Sequence, residues 1–256
     1  MTATARTQGA APDGSTIDPA EVARFEGIAR TWWDPKGPMA VLHKFNPVRL
    51  AFIRDLACAR FGRDPKTIRS LDGLTLVDIG CGGGVLSEPL ARLGAQVTGL
   101  DPAPTNVAVA RAHAEAAGLV VDYRQETIEA LVAGGARYDI VLAMEVVEHV
   151  ADVEAFVAAC CAAVKPGGLL VMATLNRTLK SYALAIVGAE YVLRWLPRGT
   201  HDWEKFVKPE ELGDAIARGG LDLGETTGVT YNPLTDRWSA SRDADVNYMM
   251  AAYRPA

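Results

Sequence analysis

Seven residues, Asp78-Ile79-Gly80-Cys81-Gly82-Gly83-Gly84, constrain this chain more than any other stretch. They follow an apolar, β-branched run and precede a helical pattern. Glycine adopts positive φ without penalty and leaves no Cβ between the backbone and a bound molecule. Such a loop at the end of a strand is a turn suited to close approach. A dinucleotide fold would space its glycines G-x-G-x-x-G, yet the third position counted from Gly80 is Val85. The pattern is D-x-G-x-G-x-G, with an acidic residue inside the strand.

The loop sits in an alternation of short strands and helices. Strands are predicted over Leu74–Ile79, Gln96–Leu100, Val120–Arg124, Asp139–Met144 and Leu169–Thr174, with helices over Leu86–Leu93, Thr105–Ala117 and Val153–Val164. Lys165-Pro166-Gly167-Gly168 ends the last helix and turns the chain into a strand. This order predicts an α/β, Rossmann-like sandwich with a mostly parallel sheet. The sheet ends in an antiparallel strand over Val246–Tyr253, after a strand near Leu221–Val229. Upstream, Asp18, Pro19 and Glu21 suit a helix start, with Val22, Phe25, Ile28 and Ala29 on one face. After Trp32-Trp33 and the turn Asp34–Pro38, a second helix is predicted to begin past Asn46, with Pro47 at its first position. The chain thus divides into a disordered tail (1–16), an N-terminal helical cap (17–70) and a sheet domain (71–256) with an insertion at 177–208.

The chain carries 31 acidic against 26 basic residues, a balance that argues against a nucleic-acid binder. Cys58, Cys81, Cys160 and Cys161 show no C-x-x-C spacing, which argues for a reducing compartment without a disulfide framework. No apolar run reaches the ~20 residues of a spanning helix, and the tail lacks the apolar core of a secretory signal. The insertion differs from the rest. Tyr182, Leu184, Ile186, Val187, Tyr191 and Trp195 lie among six basic and three acidic residues, as in an interfacial segment facing an anionic membrane. A lid or core helix over an acceptor pocket is the other reading of this segment.

A pyrophosphate is disfavoured next to Asp78, whereas a ligand with cationic groups suits it, as do the ammonium and sulfonium of S-adenosylmethionine. Asp101 ends the second strand, where a carboxylate can accept the hydroxyls of a ribose. Gly80 and Gly82 supply the loop, and Glu126, just past the third strand, is a further candidate. Glu145, Glu148 and His149 follow the fourth strand at the same edge. Three roles are open to them: His149 as general base oriented by a carboxylate, a site for a divalent ion such as Mg²⁺ that lowers the pKa of a bound hydroxyl, or a structural helix cap. His43, His201 and Tyr231-Asn232-Pro233 are weaker candidates for substrate contact, and Cys81 is assigned only to packing.

Trp32-Trp33-Asp34-Pro35, the run His43-Lys44-Phe45-Asn46-Pro47-Val48-Arg49, Glu145 to Val150, Gly199-Thr200-His201-Asp202 and Asp245 to Met249 join the glycine motif in resembling the ubiquinone biosynthesis O-methyltransferases. The resemblance runs from about Asp18 to Tyr253. It implies a class I methyltransferase fold with a seven-stranded sheet, and S-adenosylmethionine held by residues matching Arg49, Gly80, Asp101 and Met144. It implies methylation of phenol and catechol hydroxyls on polyprenylated rings at two steps of ubiquinone synthesis, with Mg²⁺ at Glu145, Glu148 and His149 where a metal is used. Partners would be the prenylated substrate, an anionic membrane surface and a biosynthetic assembly. The protein would be cytoplasmic, at the inner face of the membrane. The alternatives are an enzyme for another small hydroxylated acceptor and a non-catalytic lipid-binding assembly protein of the same fold.

Overall fold

A computed structural model describes residues 16–184 and 202–256. The tail up to residue 15, and most of the apolar part of the predicted insertion, including Tyr191, Trp195 and His201, lie outside the described residues. The strands are β1 (Thr75–Ile79), β2 (Gln96–Leu100), β3 (Asp122–Arg124), β4 (Tyr138–Met144), β5 (Val164–Leu175), β6 (Asp222–Asn232), β7 (Arg237–Ser241) and β8 (Asn247–Tyr253). The helices are α1 (Pro19–Ile28), α2 (Ala40–Phe61), α3 (Ser87–Arg92), α4 (Pro104–Ala116), α5 (Ile128–Ala133), α6 (Val153–Ala162), α7 (Leu179–Ser181) and α8 (Pro209–Arg218).

The strands form one sheet in the order β3-β2-β1-β4-β5-β8-β6-β7. The first five are parallel, and β8 enters antiparallel between β5 and β6. From β1 the chain builds outward to β2 and β3, then returns to lay β4 on the other side. The carboxyl ends of β1 and β4 therefore bound the crevice where ligands bind in such sheets. The expected sandwich is present, with eight strands where seven were predicted. The additional one is β7, which pairs with β6 as a hairpin at the sheet edge.

Strand pleating sorts the core into two layers. Leu76, Ile140, Leu142 and Val171 point to the face covered by α2 and α3, while Val77, Val141, Leu170 and Met172 point to the face covered by α5, α6 and α8. Both faces are buried, which explains why these strands read as continuous apolar runs.

Two expectations need correction. Helix α2 begins at Ala40, and Pro47 lies inside it. Asn46 is likewise inside the helix, buried, and its Nδ2 donates to the Val85 carbonyl at 2.7 Å. Phe45, Arg49 and Ile53 on the same helix are buried, and that packing outweighs one lost backbone bond. Second, α6 ends at Ala162, and Lys165 to Gly168 form the irregular start of β5. The β4–β5 register shifts there, from Tyr138 opposite Val164 to Ile140 opposite Leu169. The short helix α5 was not foreseen. At the tail boundary, Thr16 is buried, and its carbonyl accepts from the Ala151 N–H at 2.8 Å.

Ile140, fully buried in the central strand, is the natural probe of this core. Ile140→Ala is expected to cost about 2–5 kcal/mol, read as a lower urea midpoint at unchanged slope.

Candidate active site

A cavity of about 610 Å³ opens at the β1–β4 edge, between the sheet, the cap and the β6–β7 hairpin. Its floor is the glycine loop. Gly80, Gly82 and Gly84 all have positive φ, and a Cβ at Gly80 would collide with Val146. A Cβ at Gly82 would run into the ring of Trp32, so the cap lies directly on this loop.

Asp101 organises one end of the cavity. It is buried, and its Oδ2 accepts from the Gly82 N–H at 2.9 Å. Its Oδ1 accepts from Ala103 N–H at 2.9 Å and from Asn106 Nδ2 at 3.1 Å. Asn106 in turn receives the indole N–H of Trp32 at 2.9 Å. Burial raises the Asp101 pKa above its ordinary value, and these three donors oppose that shift. Glu126, half-buried, lines the same end and lies 3.6 Å from Arg124.

Asp78 lies beneath the loop, fully shielded. Burial pushes its carboxyl up to about 6, against the opposing effects of the Ser87 hydroxyl, which donates at 2.5 Å, and the Arg49 guanidinium. Arg49 reaches in from α2, buried, with its guanidinium 4.1 Å from the Phe45 ring centroid and 3.0 Å from Glu145 Oε1. Glu145 itself takes φ +59, a left-handed conformation unusual for a non-glycine residue. Its N–H is held by the Ala173 carbonyl at 2.9 Å. Met144, at the end of β4, is buried against the cavity.

Glu148 and His149 occupy the 3-10 turn after β4. Burial pushes the Glu148 carboxyl up to about 7; His149 opposes the shift and Glu145 adds to it. His149 Nδ1 lies 3.2 Å from Glu21 Oε2 of α1, and its ring meets Phe25 edge-on at 5.2 Å. Burial raises the Glu21 pKa, but the bond from His149 and the charges of His149, Arg24 and Lys205 outweigh it and hold the carboxyl below its usual value.

All the residues singled out for the cofactor therefore line one cavity, and the three after β4 join them. They do not assemble as a metal site: among the described residues no group of three His, Cys, Asp or Glu side chains is placed to hold an ion. Glu145 faces Arg49 and His149 faces Glu21, so two of the three supposed ligands are engaged within the protein. His43 serves the cap, its Nε2 lying 2.7 Å from the Trp32 carbonyl. Glu21, Trp32, Ser87 and Asn106 were not assigned to the site from sequence. The Trp32-Trp33 doublet was a visible signal, and Asn106 in the first turn after Asp101 could have been found by helical spacing.

A family model described as a methyltransferase domain matches residues 77–172. The ubiquinone biosynthesis O-methyltransferase of Methylobacterium sp. (strain 4-46) is 70% identical, over 96% of this chain and 99% of its own length. That of Brucella anthropi is 60% identical over the whole of both chains. The chain belongs to the ubiquinone biosynthesis O-methyltransferase family. Among solved structures, magnesium protoporphyrin IX methyltransferase of Synechocystis PCC 6803 with bound SAH matches with a TM-score of 0.60 at 20% identity, over 91% of this chain and 94% of that one. This second likeness concerns the fold, that of a class I methyltransferase. The enzyme is an S-adenosylmethionine-dependent O-methyltransferase, and the glycine cradle with two buried carboxylates fits that cofactor.

Asp78 has to be ionised to face a cation, and burial pushes its carboxyl up to about 6. Affinity for S-adenosylmethionine is accordingly expected to fall by up to about tenfold per pH unit below 6. Asp78→Asn should bind more weakly and lose that slope in isothermal titration.

Proposed function

We propose that this enzyme methylates the phenolic hydroxyls of polyprenylated rings at both O-methylation steps of ubiquinone synthesis, with His149 as the base. The reading rests on the observation that His149 stands at the cavity wall with a carboxylate fixed behind it. S-adenosylmethionine, when bound, would supply an electrophilic methyl group on its sulfonium for transfer to the phenolic oxygen, with S-adenosylhomocysteine as the leaving group. A phenol with a pKa near ~10 is a poor nucleophile at neutral pH and must surrender its proton as the bond forms. Nδ1 lies 3.2 Å from Glu21 Oε2 and 3.5 Å from Arg24 Nη2, itself paired with Glu21; the nearer carboxylate favours the tautomer protonated at Nδ1, which leaves Nε2 to take that proton. The Glu21 carboxylate then stabilises the imidazolium. Arg49 would hold the carboxylate end of the cofactor, Asp101 and Glu126 its ribose, Met144 its adenine, and the Gly80–Gly82 backbone its length. No step is derived through Mg²⁺, because its supposed ligands are not brought together.

The acceptor's prenyl chain argues for access from a membrane, and we place the enzyme at the inner face of one, beside the other proteins of the pathway. Among the described residues no helix is long and apolar enough to cross a membrane. Leu179, Tyr182 and Leu184 are exposed at the start of the 177–208 insertion and support a surface contact. Charge contributes less than composition implied. Arg177 pairs with Glu211, Lys180 with Asp243 and Asp245, and Lys205 with Asp18 at 3.0 Å. These ion pairs partly neutralise the local basic excess, so apolar insertion carries the contact.

His149→Asn is expected to lower kcat about 10²- to 10⁴-fold with cofactor affinity retained. Glu21→Gln should lower kcat less and shift the pH–rate profile, since the ring stays while its orienting charge is lost. A His149→Asn enzyme turning over at the wild-type rate would remove His149 from the mechanism.

A further inference from the structure

The far end of the cavity carries a feature unexplained by cofactor binding. From Arg49 outward runs a file of aromatic rings. Phe45 lies under the Arg49 guanidinium, and Trp238 of β7 stacks on Phe45 at 5.1 Å and 28°. Tyr231 of β6 packs against Trp238 at 5.2 Å and 46°. All three rings line the cavity, which continues to Pro233 at the hairpin turn. Pro233 and Leu184 line the cavity and are both exposed, so among the described residues its lining reaches the surface.

The hairpin is secured in this position. The Tyr231 hydroxyl donates to Asp236 Oδ1 at 2.8 Å, and Lys44 of α2 pairs with Asp236 Oδ2 at 2.6 Å. Asp236 takes φ +49, a costly conformation for a non-glycine residue that these two partners hold in place. The sheet needs no eighth strand for its parallel core. What the hairpin adds is an apolar, aromatic wall leading from the Glu145 end of the cavity to the surface. With the acceptor ring near His149, as in the reading above, this wall offers its substituent an apolar path to the surface.

Resting on the O-methyltransferase reading above, we propose that the β6–β7 hairpin is the tail subsite of the enzyme. Trp238 and Tyr231 contact the first isoprene units of the acceptor and set its selectivity for apolar-substituted rings. Flat aromatic faces suit a branched, unsaturated hydrocarbon chain because they bury its surface while losing little side-chain freedom.

The test uses the full chain loaded with S-adenosylhomocysteine. Equilibrium dialysis measures the affinities of a diprenylated catechol and of the same catechol without the tail, and their ratio gives the tail selectivity. Trp238→Ala is expected to reduce this ratio about tenfold, and Trp238→Phe to restore most of it. S-adenosylhomocysteine affinity and the thermal midpoint serve as the fold controls. An unchanged ratio in a folded Trp238→Ala protein, or an equal loss for both catechols, overturns the proposal. Because binding is read directly, Trp238-dependent selectivity without methyl transfer would support the tail subsite while refuting the activity on which it rests.

Discussion

Three carboxyl groups, those of Asp78, Asp101 and Glu148, are buried at the carboxyl edge of a single sheet. Removing a charge from water is costly, and each group here is shifted toward its neutral form. The rest of the site answers that cost. Gly82, Ala103 and Asn106 donate to Asp101, Ser87 donates to Asp78, and the buried Arg49 guanidinium is close enough to oppose the shift of Asp78 while pairing with Glu145. A ligand carrying positive charge and hydroxyl donors meets the same need, which is why an acidic pocket of this kind favours one sort of cofactor over a phosphate-rich one.

The cap belongs to the same system. Trp32 touches the glycine loop and, through Asn106, the carboxylate that loop supports. Trp33 donates to the Gly83 carbonyl at 2.8 Å and stacks on His113 at 3.5 Å, and His113 meets the buried Glu88 of α3 at 2.5 Å. Both tryptophans therefore anchor the cap to the loop and its flanking helices. Gly82 is confined to glycine by the indole above it as much as by its own φ.

The alternation of strands and helices and the cofactor class were legible because they follow from local pattern. The alternation of β and α runs dictates a parallel sheet, and Asp78 with the glycines dictates the loop chemistry. Pro47 misled because a proline reads as a helix start when the tertiary packing of Phe45, Arg49 and Ile53 is unknown. Glu21 was read as a first-turn acid, since nothing near it in sequence announces His149, 128 positions later. The β7 strand was missed because its residues are largely exposed and its one informative side chain, Trp238, acts through contacts with α2. The charge excess of 177–208 was counted correctly, but composition does not show that Asp243, Asp245 and Glu211 return to meet it.

The docking of α1 has a further consequence for how the polypeptide is made. Its anchors are Ala151 and His149 after β4, and Lys205 still further on. The helix emerges from the ribosome early, but these anchors form only after more than a hundred later residues have been added. The parallel strands β1 to β4 can pair before Lys205 exists. The contacts that fix α1 over the cavity are therefore completed late in synthesis, although the helix itself lies near the start of the described residues.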